Sequence, residues 1–210
     1  HRIVEIGHGD VFLSFLPLSH ITERMGYYIA VRGGACTTYS LGLAALTEEI
    51  QTAVRPTLML CVPRLWENIY SKAVDGLAKQ EPEKRKKVEW GLKVGAEFSE
   101  KQRAGKSVGL LLHLQHALAD RLILSKIREK TTGGRLRYGV SGGAPLDTKA
   151  LSLFLGIGIE LLEGYGLSET SIIAINRPGK ERVGTVGTLL PNAEIKIAED
   201  GEILMRGQGQ

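Results

Sequence analysis

The chain has 210 residues, 43% hydrophobic and 24% charged, a balance that excludes a disordered, fibrous or disulfide-stapled chain and, at roughly 150 residues per domain, allows one large domain or one and a half small ones. The net charge of +4 is local, because nine Lys/Arg and five Glu lie between Lys79 and Lys106 and the remainder is balanced. The 26 Gly follow no fixed period and point to many turns or close backbone approaches.

Asp10 to Leu16 (DVFLSFL) is an apolar run stopped by Pro17 and reads as a buried strand. Ile21 to Val31 has a helical pattern that Gly33-Gly34 ends, and Ala35 to Tyr39 reads as a second strand. Leu43, Leu46, Ile50 and Val54 recur at helical spacing as far as Pro56, and Thr57 to Val62 (TLMLCV) is the next strand. This is a repeated βαβ rhythm. Leu65, Ile69, Ala73 and Leu77 predict an amphipathic helix, Leu111, Leu114, Leu118 and Leu122 predict another, and the charged Pro82 to Lys106 segment between them reads as helical. After Gly133-Gly134, Leu136 to Val140 predicts a strand, Asp147 caps a helix to Leu155, and Ile159 to Leu162 is a further strand. The pattern then changes. Ala193 to Ala198 and Glu202 to Met205 alternate apolar and polar residues around Asp200-Gly201, a hairpin signature. The expected fold class is α/β, a helix-covered and mainly parallel sheet followed by the start of an antiparallel β subdomain.

Cys36 and Cys61 lie in strand-like runs rather than in a CxxC or His-containing cluster, so both are expected as buried reduced thiols. The longest apolar stretches, Val108 to Leu112 and Ala150 to Ile159, fall short of the ~18 residues a membrane-spanning helix needs or are interrupted by Gly. With no Asn-x-Ser/Thr acceptor and no charged-then-apolar opening segment, the expected location is cytoplasmic. The run Lys84-Arg85-Lys86-Lys87 reads as a solvated helix face, with peripheral contact to anionic lipid as its functional alternative. A start at His1 and a finish at Gly207-Gln208-Gly209-Gln210, just after the hairpin pattern, suggest a segment of a longer protein.

Two nucleotide-binding patterns fail on inspection. Gly105-Lys106-Ser107 ends like a phosphate-binding P-loop, but Glu100 stands where its first Gly belongs and no strand precedes it. Gly164-Tyr165-Gly166 opens like GxGxxG, but Glu169 occupies the third Gly position. Two other segments carry more. Ser141-Gly142-Gly143-Ala144-Pro145 follows a strand and precedes a capped helix, so it is either a plain turn or bare backbone that lies against a flat ligand. Glu163 to Thr170 (EGYGLSET) follows the next strand at the carboxyl end, where open α/β sheets bind ligands. It offers an aromatic face, a hydroxyl and a carboxylate, which suit an adenine ring, a phosphate oxygen and a magnesium ion; the other reading is a tight turn with a packed Tyr and a solvated Glu. His20, with Thr22 and Glu23, opens a helix after Leu16-Pro17-Leu18-Ser19, as a cap or as a site residue.

The segments LPLSHITER (16–24), VPRLWENI (62–69), SGGAPL (141–146), EGYGLSET (163–170), GTVGTLLPNAEIKI (184–197) and GEILMRG (201–207) resemble, in order, successive motifs of the adenylate-forming enzyme superfamily. The likeness is closest to long-chain fatty acyl-CoA synthetases, including their bubblegum-type branch. It runs from about Asp10 to Gly207. The resemblance implies the central α/β part of an AMP-binding domain over 1–182, with a helical insertion at about 64–130, and the start of a β subdomain over 183–210. It also implies ATP-dependent activation of a fatty acid to an acyl-adenylate with release of pyrophosphate, then thioester formation with CoA and release of AMP. By the same resemblance Tyr165 stacks on adenine, Ser168 bonds a phosphate oxygen and Glu169 ligates Mg2+. Gly142, Gly143, Ala144 and Pro145 lie along adenine and the acyl entrance, with Gly164 and Gly166 beside the nucleotide. His20 matches the histidine near the carboxylate and the α-phosphate. Arg24 falls where some relatives place an aromatic acyl gate, and Arg there departs from that pattern. The implied partners are fatty acid, ATP and CoA, with no nucleic acid; membrane contact through 79–106 and a homodimer stay open. The family's phosphate loop, ribose-binding Asp, hinge and catalytic Lys have no counterpart in the chain, so the 210 residues alone are expected not to complete the reaction. Another carboxylate-activating ligase and a silent lipid- or nucleotide-binding module are the alternatives.

Overall fold

The computed structural model describes residues 4–191 and 193–207. Asn192 of the GTVGTLLPNAEIKI segment and the terminal Gln208-Gly209-Gln210 lie outside the described residues. In chain order the elements are β1 (Val11–Ser14), α1 (Ile21–Gly33), β2 (Cys36–Tyr39), α2 (Leu46–Glu48) continuing as a π-helical turn (Glu49–Ala53), β3 (Leu58–Cys61), α3 (Pro63–Ala78), α4 (Pro82–Arg103), α5 (Leu110–Ala119), a second π-helical turn (Asp120–Leu124), α6 (Ser125–Thr132), β4 (Tyr138–Ser141), α7 (Thr148–Gly156), β5 (Glu160–Leu167), β6 (Ser171–Ile175), β7 (Thr188–Leu189), β8 (Ala193–Ile197) and β9 (Ile203–Gly207).

Strands β1 to β7 form a sheet of order β2-β1-β3-β4-β5-β6-β7. The first five run parallel and the last two pair antiparallel. β8 and β9 form a separate antiparallel hairpin around Gly201, whose φ of +89 suits glycine. The chain leaves β1 to one side for β2 and then crosses to the other side for β3. The carboxyl ends of β1 and β3 therefore flank a topological switch point, the usual ligand crevice of open α/β sheets.

Alternation along the strands divides the core in two. Leu13, Met59, Cys61 and Leu161 face α3 to α7 and pack with Trp66 and Phe154, while Phe12, Leu58, Leu60 and Leu162 face the other way, against Ala30 of α1. Trp66 donates its indole N–H to Val140 O at 3.4 Å and lies over Gly139, where an added Cβ would come within 2.7 Å of the ring. Asp147 caps α7 as expected, its Oδ1 accepting from Lys149 N–H and Ala150 N–H.

Four expectations change. Cys36 is exposed, because β2 is the sheet edge, whereas Cys61 on the central β3 is buried. Leu111, Leu114, Leu118 and Leu122 form a helical stripe, but it faces outward: α5 buries Leu112 and Ala119 instead, and its His113 and His116 pack on Phe98 of α4. The strand read as ending at Leu162 continues through Leu167, so Gly164 to Leu167 belong to β5 and not to a loop. Finally, antiparallel pairing begins at β6, ahead of the alternating segment that signalled it.

Candidate functional site

The glycine segment after β4 is a strap pinned at both ends. Gly142 N–H donates to Cys61 O of β3 at 3.3 Å. At the far end, Leu146 N–H donates to Glu163 Oε1 at 3.2 Å and Asp147 N–H to Glu67 Oε1 at 3.3 Å. Between the pins Gly143, Ala144 and Pro145 are exposed, and Gly143 has φ +86 with open space where a Cβ would be. Bare backbone is thus held out to solvent at the carboxyl edge of the sheet.

Beside it, β5 bends past Glu163 and pairs with β6 through a tight turn. The β5–β6 register slips between Tyr165 and Gly166, and a Cβ on Gly166 would lie 2.0 Å from Ser171 O, so only glycine fits this approach. The turn is closed by Thr170, whose N–H donates to Leu167 O and whose Oγ1 accepts from Leu167 N–H. Tyr165 is half-buried on β5, and Ser168 and Glu169 are exposed at the tip. Gly142 and Gly164 are neighbours, a Cβ on the former reaching Gly164 O at 3.5 Å. The structure therefore sets the start of the strap, Gly142, against Gly164, just ahead of the hairpin that carries Tyr165 to Glu169.

His20 lies exposed after β1, at the same edge, as the N-cap of α1. Its Nδ1 accepts from Thr22 N–H at 3.2 Å, so Nδ1 carries no proton and the neutral ring presents Nε2–H as a donor. Arg24 is exposed and donates from Nε to Leu18 O at 3.3 Å, closing the Leu16 to His20 loop. Ser171, held at φ +61, donates its hydroxyl to Met25 Sδ and so ties α1 to the β5–β6 hairpin. Beneath this loop Glu23 is fully buried; burial raises its carboxyl above the usual range against the pull of Ser14 and the Phe15 and Leu16 backbone, and neither oxygen makes a hydrogen bond of good geometry.

Glu169 is an exposed carboxylate at the hairpin tip, and among the described residues no three His, Cys, Asp or Glu gather as metal ligands. That fits a hard cation held by one carboxylate together with substrate phosphates and water, and does not fit an all-protein cage. Sequence reasoning missed the two carboxylates that pin the strap, Glu67 and Glu163. Both lie inside quoted motifs, but nothing in a linear pattern says that they accept from backbone 80 and 17 residues away.

A cavity of about 690 Å³ extends along α3 from Leu65 to Leu77, between that helix, α2 with its π-helical turn, and α6. Leu46, Ile50, Ile69 and Leu92 line it, with Lys72 and Lys130 among its polar groups. Among the described residues no helix is long and apolar enough to cross a membrane.

The family model described as AMP-binding enzyme matches residues 1–210. The chain is 39% identical over 98% of its length to the fadD11 protein of Mycobacterium tuberculosis, of which it covers 36%. It is 35% identical over 95% of its length to the long-chain-fatty-acid–CoA ligase FadD15 of Mycobacterium bovis, of which it covers 32%. It thus spans about a third of the length of these relatives. Among solved structures, the adenylation domain of a carboxylate reductase from Mycobacterium chelonae superposes with a TM-score of 0.63 at 22% identity, over 95% of this chain and 28% of that one, a likeness of fold.

Proposed function

The chain belongs to the AMP-binding enzyme family, and on that premise we propose that the full-length protein is a long-chain fatty acid–CoA ligase. In this reading ATP activates a fatty acid to its acyl-adenylate, releasing pyrophosphate, and CoA then takes the acyl group and releases AMP. The observation that carries the reading is that the exposed glycine strap starts beside Gly164, at the head of the hairpin that carries Tyr165 to Glu169, at the carboxyl edge of the parallel strands. The name of FadD15 supports the choice of acid.

Tyr165 stacks on adenine against the Gly142 to Pro145 backbone, with Gly164 and Gly166 letting the strands approach. Ser168 hydrogen-bonds a phosphate oxygen, and His20, through Nε2–H, donates to oxygen at the reacting carboxylate and α-phosphate. Glu169 is the protein ligand for Mg2+, which when bound would neutralise phosphate charge. The cavity along α3 takes the acyl chain, its size being within the range of roughly 300–1,000 Å³ for small-molecule sites. Arg24 braces the entrance loop through Leu18 and is the candidate gate.

Fatty-acid-dependent ATP–pyrophosphate exchange by the full-length protein, scanned over chain length, tests the reading. Exchange peaking with long chains is expected, and Glu169→Ala should reduce it by roughly 100-fold with little change in melting temperature. A folded protein with no exchange on any carboxylate would be a silent binding module.

The outward stripe Leu110, Leu111, Leu114 and Leu118 on α5, together with the basic α4, supports peripheral contact with an anionic bilayer. Flotation with anionic vesicles should be lost when Leu111 and Leu114 are both replaced by Ser; flotation unchanged by that replacement removes the contact.

A further inference from the structure

The VPRLWENI segment (62–69) leads from β3 into α3 and touches both ends of the glycine strap. β3 ends at Cys61 and α3 begins at Pro63, whose ring fixes φ in the first helical turn, so Val62 alone joins the two elements. At the near end of the strap Cys61 O accepts from Gly142 N–H at 3.3 Å, and the fully buried Trp66 donates its indole N–H to Val140 O at 3.4 Å. At the far end Glu67 Oε1 accepts from Asp147 N–H at 3.3 Å. The near end is thus held by strand backbone and a packed ring, whereas Glu67 is a half-buried side chain reaching across from α3.

The Glu67 contact supplies what α7 lacks. Asp147 is the N-cap of α7, and its Oδ1 accepts from Lys149 N–H and Ala150 N–H. In a capping box the third helical residue is Glu or Gln and reaches back to the N-cap N–H. Here that residue is Ala150, whose side chain has no acceptor. A carboxylate from another helix takes its place, where the N-terminal end of the α7 dipole favours negative charge. The cap of α7, which is also the end of the strap, is in this way tied to α3. We propose that Glu67 is a positioning residue for the nucleotide: by completing the α7 cap from outside, it sets where the Gly142 to Pro145 backbone stands at the sheet edge. The inference rests on the adenylate-forming reading above and adds a residue to it. The same helix turns Leu65 and Ile69 to the cavity assigned to the acyl chain, so a local loss at the strap and a shift of all of α3 have different kinetic signatures.

The test uses the full-length protein, with ATP dissociation constants from calorimetry and KM values for ATP and fatty acid from steady-state kinetics. Glu67→Ala should weaken ATP binding by about fivefold, the loss of one hydrogen bond to a carboxylate. The KM for ATP should rise with it, while the KM for fatty acid and kcat stay near wild type. Glu67→Gln keeps an acceptor oxygen at the same reach and should restore ATP binding. Glu67→Asp keeps the charge but withdraws it by one carbon; it should match Ala, and it decides the matter if Glu67→Ala does not fold. Unchanged ATP binding by folded Ala or Asp variants would overturn the positioning role. Equal rises in both KM values would overturn it too, because α3 itself would have moved. A Gln variant as weak as Ala would overturn the hydrogen bond as the cause. A folded wild type that binds no ATP would sink the adenylate-forming reading itself, a failure distinct from the others.

Discussion

Gly166 and Gly143 illustrate two uses of one residue type. At Gly143 the missing Cβ leaves open space and a left-handed φ, so the strap can turn its backbone outward. At Gly166 the missing Cβ lets β5 and β6 meet at a distance no other residue permits. Gly166→Ala must displace the hairpin and should destabilise the protein by about 3 kcal/mol, read as a lower denaturation midpoint. A loss under about 0.5 kcal/mol would mean the hairpin is loose. Both glycines are plain in the sequence, but their different roles are not, because one depends on the local dihedral and the other on a strand that arrives later in the chain. His20 is a similar case: a helix opening at Ile21 is legible from the pattern, whereas the Thr22 N–H that fixes the imidazole tautomer is a fact of geometry.

At the scale of elements, apolar periodicity located α3 and α5 and misjudged which side of α5 meets the protein. Leu111, Leu114, Leu118 and Leu122 share a face, and periodicity can say no more than that. The contacts of α5 run instead through Leu112, Ala119 and the two His rings on Phe98, and the adjoining π-helical turn buries Leu124. Leu124→Ala should therefore cost roughly 2–5 kcal/mol, and Leu118→Ala should stay within about 0.5 kcal/mol, both by chemical denaturation of the full-length protein. Comparable losses would mean that the outward face is covered by protein. β5 shows the opposite kind of misreading: glycine and polar residues end a strand by propensity, yet pairing with β6 carries it on to Leu167.

In the molecule as a whole, the parallel sheet carries its ligand machinery at the carboxyl edge and a proton-sensitive contact at the opposite end. There Glu160 and Glu181 both accept the single N–H of Gly179, at 3.0 and 3.1 Å, and Glu181 is almost wholly buried with one oxygen unpartnered. Burial first, then the neighbouring Glu160, pushes the Glu181 carboxyl up to about 8 from an ordinary 4.5. The folded chain thus keeps a proton that the unfolded chain releases, so stability is highest below that range and falls as pH rises through it to about 8. Melting temperature should decline with pH across that window in the wild type, and Glu181→Gln should flatten the decline; equal slopes would assign the pH dependence to other groups.

The amino-acid order by itself determined the βαβ rhythm, the helix caps, the final hairpin and the positions of the glycine strap and the YGLSE segment. These follow from side-chain periodicity, capping chemistry and backbone freedom, which act over a few residues and can be read along a line. Only the tertiary structure decided that the Leu stripe of α5 faces outward, that Cys36 sits on an edge, and that Glu67 and Glu163 pin the strap. Each of these depends on which neighbour packs against an element, and a neighbour 17 or 80 residues away is selected by sheet order and burial rather than by local pattern.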